Sequence, residues 1–117
     1  MGKYLGRMPV DMLNDRQIRP TEYRKWRQAE DRFARRDKDR RILEELEASI
    51  PKHGLTVPIR LGISARYPTD VYVADGHHRA VALRNLGVEE FPFHWYWIRS
   101  SGVRWETEPF PYHVLGL

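Results

Sequence analysis

The spacing of apolar positions along this 117-residue chain changes period several times. From Thr21 to about Arg36, Tyr23, Trp26, Ala29 and Phe33 recur at intervals of three, three and four, which puts them on one helical face. Thr21, just after Pro20, can cap that helix. From Lys38 to Ile50, the residues Ile42, Leu43, Leu46 and Ile50 describe a second helix. Asp37 or Asp39 caps it, Glu44, Glu45 and Glu47 face water, and Pro51 and Gly54 end it. The period then falls to two. Val57, Ile59, Leu61 and Ile63 alternate within the stretch Leu55 to Ile63, the pattern of a half-buried strand. Phe91, Phe93, Trp95 and Trp97 share one face of a further strand, with His94, Tyr96 and Ile98 on the other. A strand so rich in aromatic residues supplies much of a core.

Between these segments the chain is less regular. Met8 to Leu13 reads as a short edge strand or extended arm, since Pro9 and the following Asn14-Asp15 argue against a central strand. Ile18-Arg19-Pro20 continues extended, because a proline biases the residue before it away from helix. Ser64 to Asp70 is a turn-rich connection. Arg99 to Leu117 carries Pro109 and Pro111 and no periodicity, and is expected as an irregular tail laid over the surface or over a partner. The length fits one domain, residues 1–117.

Val71 to Gly87 combines structure with chemistry. A β-branched and aromatic run meets Asp75-Gly76; His77, His78 and Arg79 then open a helical segment that closes on Gly87. The first N–H groups of a helix lack intrahelical partners and the helix dipole is positive at that end, so an anion is stabilised there. Two imidazoles and a guanidinium add side-chain donors, and Gly76 allows positive φ or close approach of a ligand. The pattern points to a phosphate-binding corner of Gly76, His77, His78 and Arg79. It equally describes an Asp75 N-cap, a Gly76 turn and an exposed first helical turn.

Charge sharpens the picture. The net charge is +4, but residues 1–41 carry 13 Lys and Arg against 7 Asp and Glu, while residues 42–117 carry 7 against 9. A basic first third is the footprint of a polyanion partner, DNA or RNA, with Arg24, Lys25, Arg27, Arg32, Arg35 and Arg36 as the contacts; a solvated basic helix gives the same pattern. The aromatic stripe between them suits packing, with base stacking as the sharper alternative. Absence of cysteine excludes disulfides, thiolate nucleophiles and cysteine-ligated zinc. No apolar run is long enough to span a bilayer, and residues 1–6 lack the apolar core of a signal peptide, so a cytoplasmic protein without membrane contact is expected. His53, His94 and His113 fit ordinary surface or core roles.

The order of these pieces resembles the ParB/sulfiredoxin-like superfamily over about residues 8–98, which the resemblance makes the core of the domain. Asn14, Gln17 and Arg19 fall where partition proteins carry an Asn-Pro-x-Gln-Pro-Arg stretch. Leu46, Ser49, Ile50, Gly54, Leu55, Pro58 and Ile59 follow that family's Leu-x-x-Ser-Ile, Gly-Leu, Pro-Ile segment, and Asp75-Gly76-His77-His78-Arg79 falls on its Gly-Glu-Arg-Arg box. The resemblance implies an α+β fold, a small mixed sheet with helices packed around it, and a nucleotide at the box: CTP, or ATP or ADP in the related free serine kinases, with Mg²⁺. Gly76 and Arg79 match the partition box, and His77 and His78 stand for its Glu and first Arg. His78 and Arg79 match the phosphate-contacting pair of sulfiredoxins, whose reactive cysteine is replaced by His77, so peroxiredoxin reduction is excluded.

A kinase-like or nuclease relative would need a base or metal ligand. Asp15, Glu22 and His77 are the candidates for the base, and Asp75 is the candidate for Mg²⁺. Adjacent residues at a helix start project apart, so His77 and His78 are not expected to share one ion. Three expectations follow: a binder of nucleotide or nucleic-acid phosphate, an enzyme of the phosphotransferase or nuclease type, or a phage or mobile-element protein-interaction domain without catalysis.

Overall fold

In the computed structural model, which describes residues 2–99 and 104–116, five strands and three α-helices follow in the order two strands, two helices, two strands, one helix and one strand. The strands are β1 (Gly6–Pro9), β2 (Ile18–Pro20), β3 (Ile59–Ser64), β4 (Val71–Asp75) and β5 (Glu90–Ile98). The helices are α1 (Trp26–Arg35), α2 (Asp37–His53) and α3 (His77–Leu86). Among the described residues the strands form one mixed sheet of order β1-β5-β3-β4-β2. β3 lies at its centre, parallel to β5 and antiparallel to β4, and β2 runs parallel to β4 at one edge. This is the expected α+β class, with the N-terminal arm supplying both edges.

Register explains why one face is buried. Ile59, Leu61 and Ile63 stand opposite Phe93, Trp95 and Trp97 of β5, and Leu61 and Ile63 stand opposite Val73 and Val71 of β4. Ile18 pairs with Val71 and Met8 with Phe91, so the row continues to both edges. Directly opposed residues share a face, and apart from half-buried Trp97 these side chains are almost wholly removed from water. One core cluster joins them to Trp26, Ala29 and Phe33 of α1, Leu43 and Ile50 of α2, and Ala80 to Leu83 of α3. The aromatic strand is thus a principal part of the core, as its pattern indicates.

Three boundaries differ from the sequence reading. α1 starts at Trp26, not near Thr21, leaving Tyr23 in the bend before it. Asp15, from the preceding loop, accepts the Trp26 N–H at 2.9 Å and does the capping, while Thr21 Oγ1 donates to the Val73 carbonyl. α2 runs through Pro51 to His53, because a proline in the last turn forfeits one ladder bond while the Gly54 N–H still donates to the Ile50 carbonyl at 2.8 Å. β3 begins only at Ile59; Val57 is exposed and its alternation with Ile59 is broken by Pro58.

The C-terminal segment is no loose cover. Trp105 forms a bridge with Tyr96, and the Glu106 N–H donates to the Trp95 carbonyl. Phe110 is buried, with its ring centre 5.3 Å from that of Phe93 and 5.7 Å from that of Trp95. Leu115 is also buried, and its carbonyl accepts from Gln17 Nε2. Two isolated apolar residues among prolines have no period to reveal them. The parts of the expected tail at 100–103 and 117 lie outside the described residues.

Candidate functional site

The junction between β4 and α3 is built as the sequence suggests, strand, turn, helix, with one change. The residue before the helix is Gly76, at φ 102° and ψ 31°, a left-handed conformation that favours glycine. Asp75 is therefore not the cap. Its carboxylate faces two guanidiniums instead, Arg79 at 3.4 Å and Arg60 at 3.8 Å. The Ala80 N–H makes the first ladder bond, to the Gly76 carbonyl at 2.8 Å, so the amides of residues 77–79 open the helix ahead of the ladder.

The two histidines diverge. His77 Nε2 accepts the backbone N–H of Thr21 at 3.0 Å, which requires the neutral ring. Burial pushes its pKa below the ordinary histidine value of 6.5; His78 adds to this, while Glu22 and Asp75 oppose it. His78 turns the other way: its ring stacks on Phe33 at a centroid distance of 4.2 Å, and its Nε2 lies 2.9 Å from Asp39 Oδ1. Arg79 is the most structurally committed of the three. Its Nη1 donates to the carbonyls of Val57 at 3.0 Å and Pro58 at 3.1 Å, fixing the chain ahead of β3. Burial lowers its pKa, with Asp75 acting in the opposite direction and Arg60 in the same one.

These residues line a cleft of ≈ 590 Å³ between the start of α3 and helices α1 and α2. Arg32, Arg36 and Arg79 bring positive charge, Glu22, Asp39 and Asp75 negative charge, and Tyr23, Phe33 and both imidazoles bring rings. The volume is within the range of small-molecule sites. Of the six basic residues singled out in the sequence, the structure brings only Arg32 and Arg36 into this cleft. Arg24 lies in a neighbouring depression with Arg19 and Tyr72, and Lys25, Arg27 and Arg35 are exposed elsewhere on the first helix or its approach. Of the candidate bases, Glu22 and His77 are at the cleft. Asp15 lies in a separate depression with Asn14, Arg16, Gln17 and Leu115, occupied in capping α1.

Asp75, facing two guanidiniums, fits an arginine clamp better than a protein-built cation site, and among the described residues no group of three His, Asp or Glu side chains is arranged to hold a metal ion. Sequence reasoning missed Asp39 as the partner of His78 and Arg60 as the second partner of Asp75. Asp39 is separated from His78 by 39 positions, so no local spacing announces the pair. Register does place Arg60 opposite Asp75, but only once the strand pairing is known.

No protein-family model matches the sequence, and neither does any curated protein. Solved structures do. Sulfiredoxin from Arabidopsis thaliana is similar at a TM-score of 0.55 and 22% identity, over 81% of this chain and 86% of that one. The C-terminally truncated chromosome-partitioning protein ParB from Caulobacter crescentus, complexed with CTP-gamma-S, is similar at a TM-score of 0.55 and 21% identity over 84% of this chain. This chain spans 47% of that ParB chain. Both similarities cover most of this chain, and they show that its mixed sheet and packed helices form a ParB/sulfiredoxin-like fold.

Proposed function

We propose that the cleft at the start of α3 binds the phosphate groups of a nucleotide. The observation that carries this reading is convergence: a helix N-terminus opened by a left-handed glycine shares one ≈ 590 Å³ cleft with Arg32, Arg36 and Arg79. Amides at a helix start and guanidiniums are complementary to phosphate oxygens in geometry and in charge. Arg32 and Arg36 are exposed and, among the described residues, make no ion pair, so their donors are available to a ligand. Arg79 contributes from behind, through donors not used on Val57 and Pro58. Half-buried Tyr23 offers apolar surface for a base or sugar. The nucleotide-analogue complex of the similar ParB chain supports the reading.

The test is a thermal-shift and calorimetric screen against nucleoside mono-, di- and triphosphates, with and without Mg²⁺, since a ligand of the native state raises apparent stability by mass action. At least one nucleotide should stabilise the protein, and Arg36→Ala should weaken its binding by about tenfold or more. Silence across the panel sinks the proposal.

One observation favours a second reading, phosphoryl transfer or phosphodiester hydrolysis. His78 is oriented by Asp39 and clamped on Phe33, the arrangement of a general base held by a carboxylate. Turnover of ATP, ADP, CTP or plasmid DNA that falls on Asp39→Asn while nucleotide affinity is kept would support it; equal rates in both proteins would remove it.

A further inference from the structure

The face of the sheet turned away from the helices has a composition of its own. Strand register places five residues in one row across it: Trp105 opposite Tyr96, Tyr96 opposite Gly62, Gly62 opposite Tyr72, and Tyr72 opposite Arg19. Directly opposed residues share a face, and the alternate positions Leu61, Ile63, Val71 and Val73 are the ones buried against the helices, so this row points outward. At about 4.8 Å per strand the distance from Trp105 to Tyr72 is about 14 Å. Gly62 leaves the middle of the row without a side chain of its own. The exposed Ile98 fills the gap: a Cβ on Gly62 would stand 2.8 Å from its Cδ1.

Cations sit over these rings. The Arg60 guanidinium is 5.1 Å and the Lys3 ammonium 5.0 Å from the centre of the Trp105 ring, and the Arg19 guanidinium is 4.9 Å from that of Tyr72. Arg7, opposite Pro92, adds an exposed positive charge on the same face. Of the acids near it, Asp70 pairs with Arg19 and Asp75 with Arg60 and Arg79, while Glu90 is exposed on the same face beside Arg7. Three half-buried aromatic rings in a row, with cations over the two outer ones, Trp105 and Tyr72, suit a single-stranded nucleic-acid platform: bases stack on rings and guanidinium planes while the backbone tracks the cations. A row of about 14 Å accommodates two to three extended nucleotides.

We propose that this outer sheet face, with Tyr72, Tyr96 and Trp105 as its stacking surface and Lys3, Arg19 and Arg60 as its phosphate-binding cations, binds single-stranded DNA or RNA. The row lies on the sheet face away from the helices, and its Arg60 edge meets Asp75, which also lines the α3 cleft. A duplex is the poorer ligand for this surface, because its bases are already stacked on one another and have no free face to lay on the rings.

Anisotropy of labelled twelve-nucleotide oligo(dT) and oligo(U), run beside a duplex of the same length at low and moderate salt, tests it. Wild type should bind the single strands in preference to the duplex. Tyr72→Leu and Tyr96→Leu should each weaken binding by about tenfold. Arg60→Gln and Lys3→Glu, both at exposed positions, should weaken it and flatten its salt dependence by about 0.7 in log–log slope for each phosphate no longer neutralised. Arg36→Ala and saturating nucleotide should leave it intact. The proposal is overturned if no single strand binds at low salt, if the duplex binds as tightly, or if Arg36→Ala abolishes binding while the Arg60→Gln and Lys3→Glu proteins bind like wild type. Circular dichroism melts on each protein distinguish a weakened binding surface from an unfolded chain.

Discussion

The two glycines that bracket α3 allow the site's geometry to be tested as an energy difference. Gly76 and Gly87 both have left-handed backbone, φ 102° and 67°. Alanine in that region costs about 1–2 kcal/mol at either position, while the entropy that Gly→Ala removes from the unfolded chain returns about 0.4–1 kcal/mol at both. Beyond the backbone the two differ. A Cβ on Gly87 meets nothing within 4 Å, whereas one on Gly76 would stand 2.9 Å from Arg79 Nη2, 3.1 Å from its Nε and 3.1 Å from Ile59 Cδ1. Ile59 is fully buried and cannot withdraw. The guanidinium must therefore move, at the expense of its bonds to the Val57 and Pro58 carbonyls, which belong to a class worth about 1.5–3 kcal/mol each. Partial loss of that pair adds about 1–2 kcal/mol at Gly76 alone. Urea unfolding should place Gly76→Ala about 1–2 kcal/mol below Gly87→Ala with unchanged denaturant slopes, and nucleotide affinity should fall only in Gly76→Ala. Equal stabilities within about 0.5 kcal/mol would refute the packing of Arg79 against this glycine.

Two further outcomes separate structural from chemical roles. Asp15→Ala should destabilise by about 1 kcal/mol through loss of the carboxylate on the Trp26 N–H, Asp15→Asn should retain most of that, and neither should alter ligand binding or turnover, as thermal melts and calorimetry will show. His77 is neutral in the fold and its pKa lies below the unfolded value of 6.5, so its contribution to stability is complete above pH 6.5 and is lost as pH falls from there through the folded pKa. Urea midpoints measured from about pH 8 to about pH 5 should decline in that window for wild type and decline less for His77→Gln, which can still accept from Thr21 N–H; parallel declines would show that other groups carry the dependence.

How much of this was legible in the sequence depended on periodicity. The face of β5 followed from alternation alone, as did the α1 stripe of Trp26, Ala29 and Phe33, because burial on one side imposes a repeat that survives in any order of elements. Tyr23 fits the same arithmetic and still lies outside the helix, since Asp15 supplies a cap at Trp26 from a loop eleven residues upstream. Phe110 and Leu115 close the core without any period, and the prolines around them offered no reason to expect them inside. The corner itself was visible as Asp-Gly followed by donors. Its wiring was not, because every partner but one comes from a distant segment: Thr21 for His77, Asp39 and Phe33 for His78, Val57 and Pro58 for Arg79.

That wiring alters what the corner is. Read along the chain, His77, His78 and Arg79 are three equivalent donors aimed at an anion. In the fold each ties the start of α3 to a different neighbour: His77 to the N-terminal arm, His78 to α1 and α2, and Arg79 to the chain entering β3. Removing any one of them therefore removes a tertiary link together with a ligand-binding group, and the two effects reach an affinity measurement combined. Arg32 and Arg36 differ, because they face the same cleft from an exposed helix end and, among the described residues, hold no ion pair. Loss of charge at these two positions leaves the scaffold intact, so a change in nucleotide affinity there reports the cleft and little else. His77, His78 and Arg79 are thus chiefly what holds the corner in shape, and among the described residues the unpaired positive charge at the cleft comes from Arg32 and Arg36.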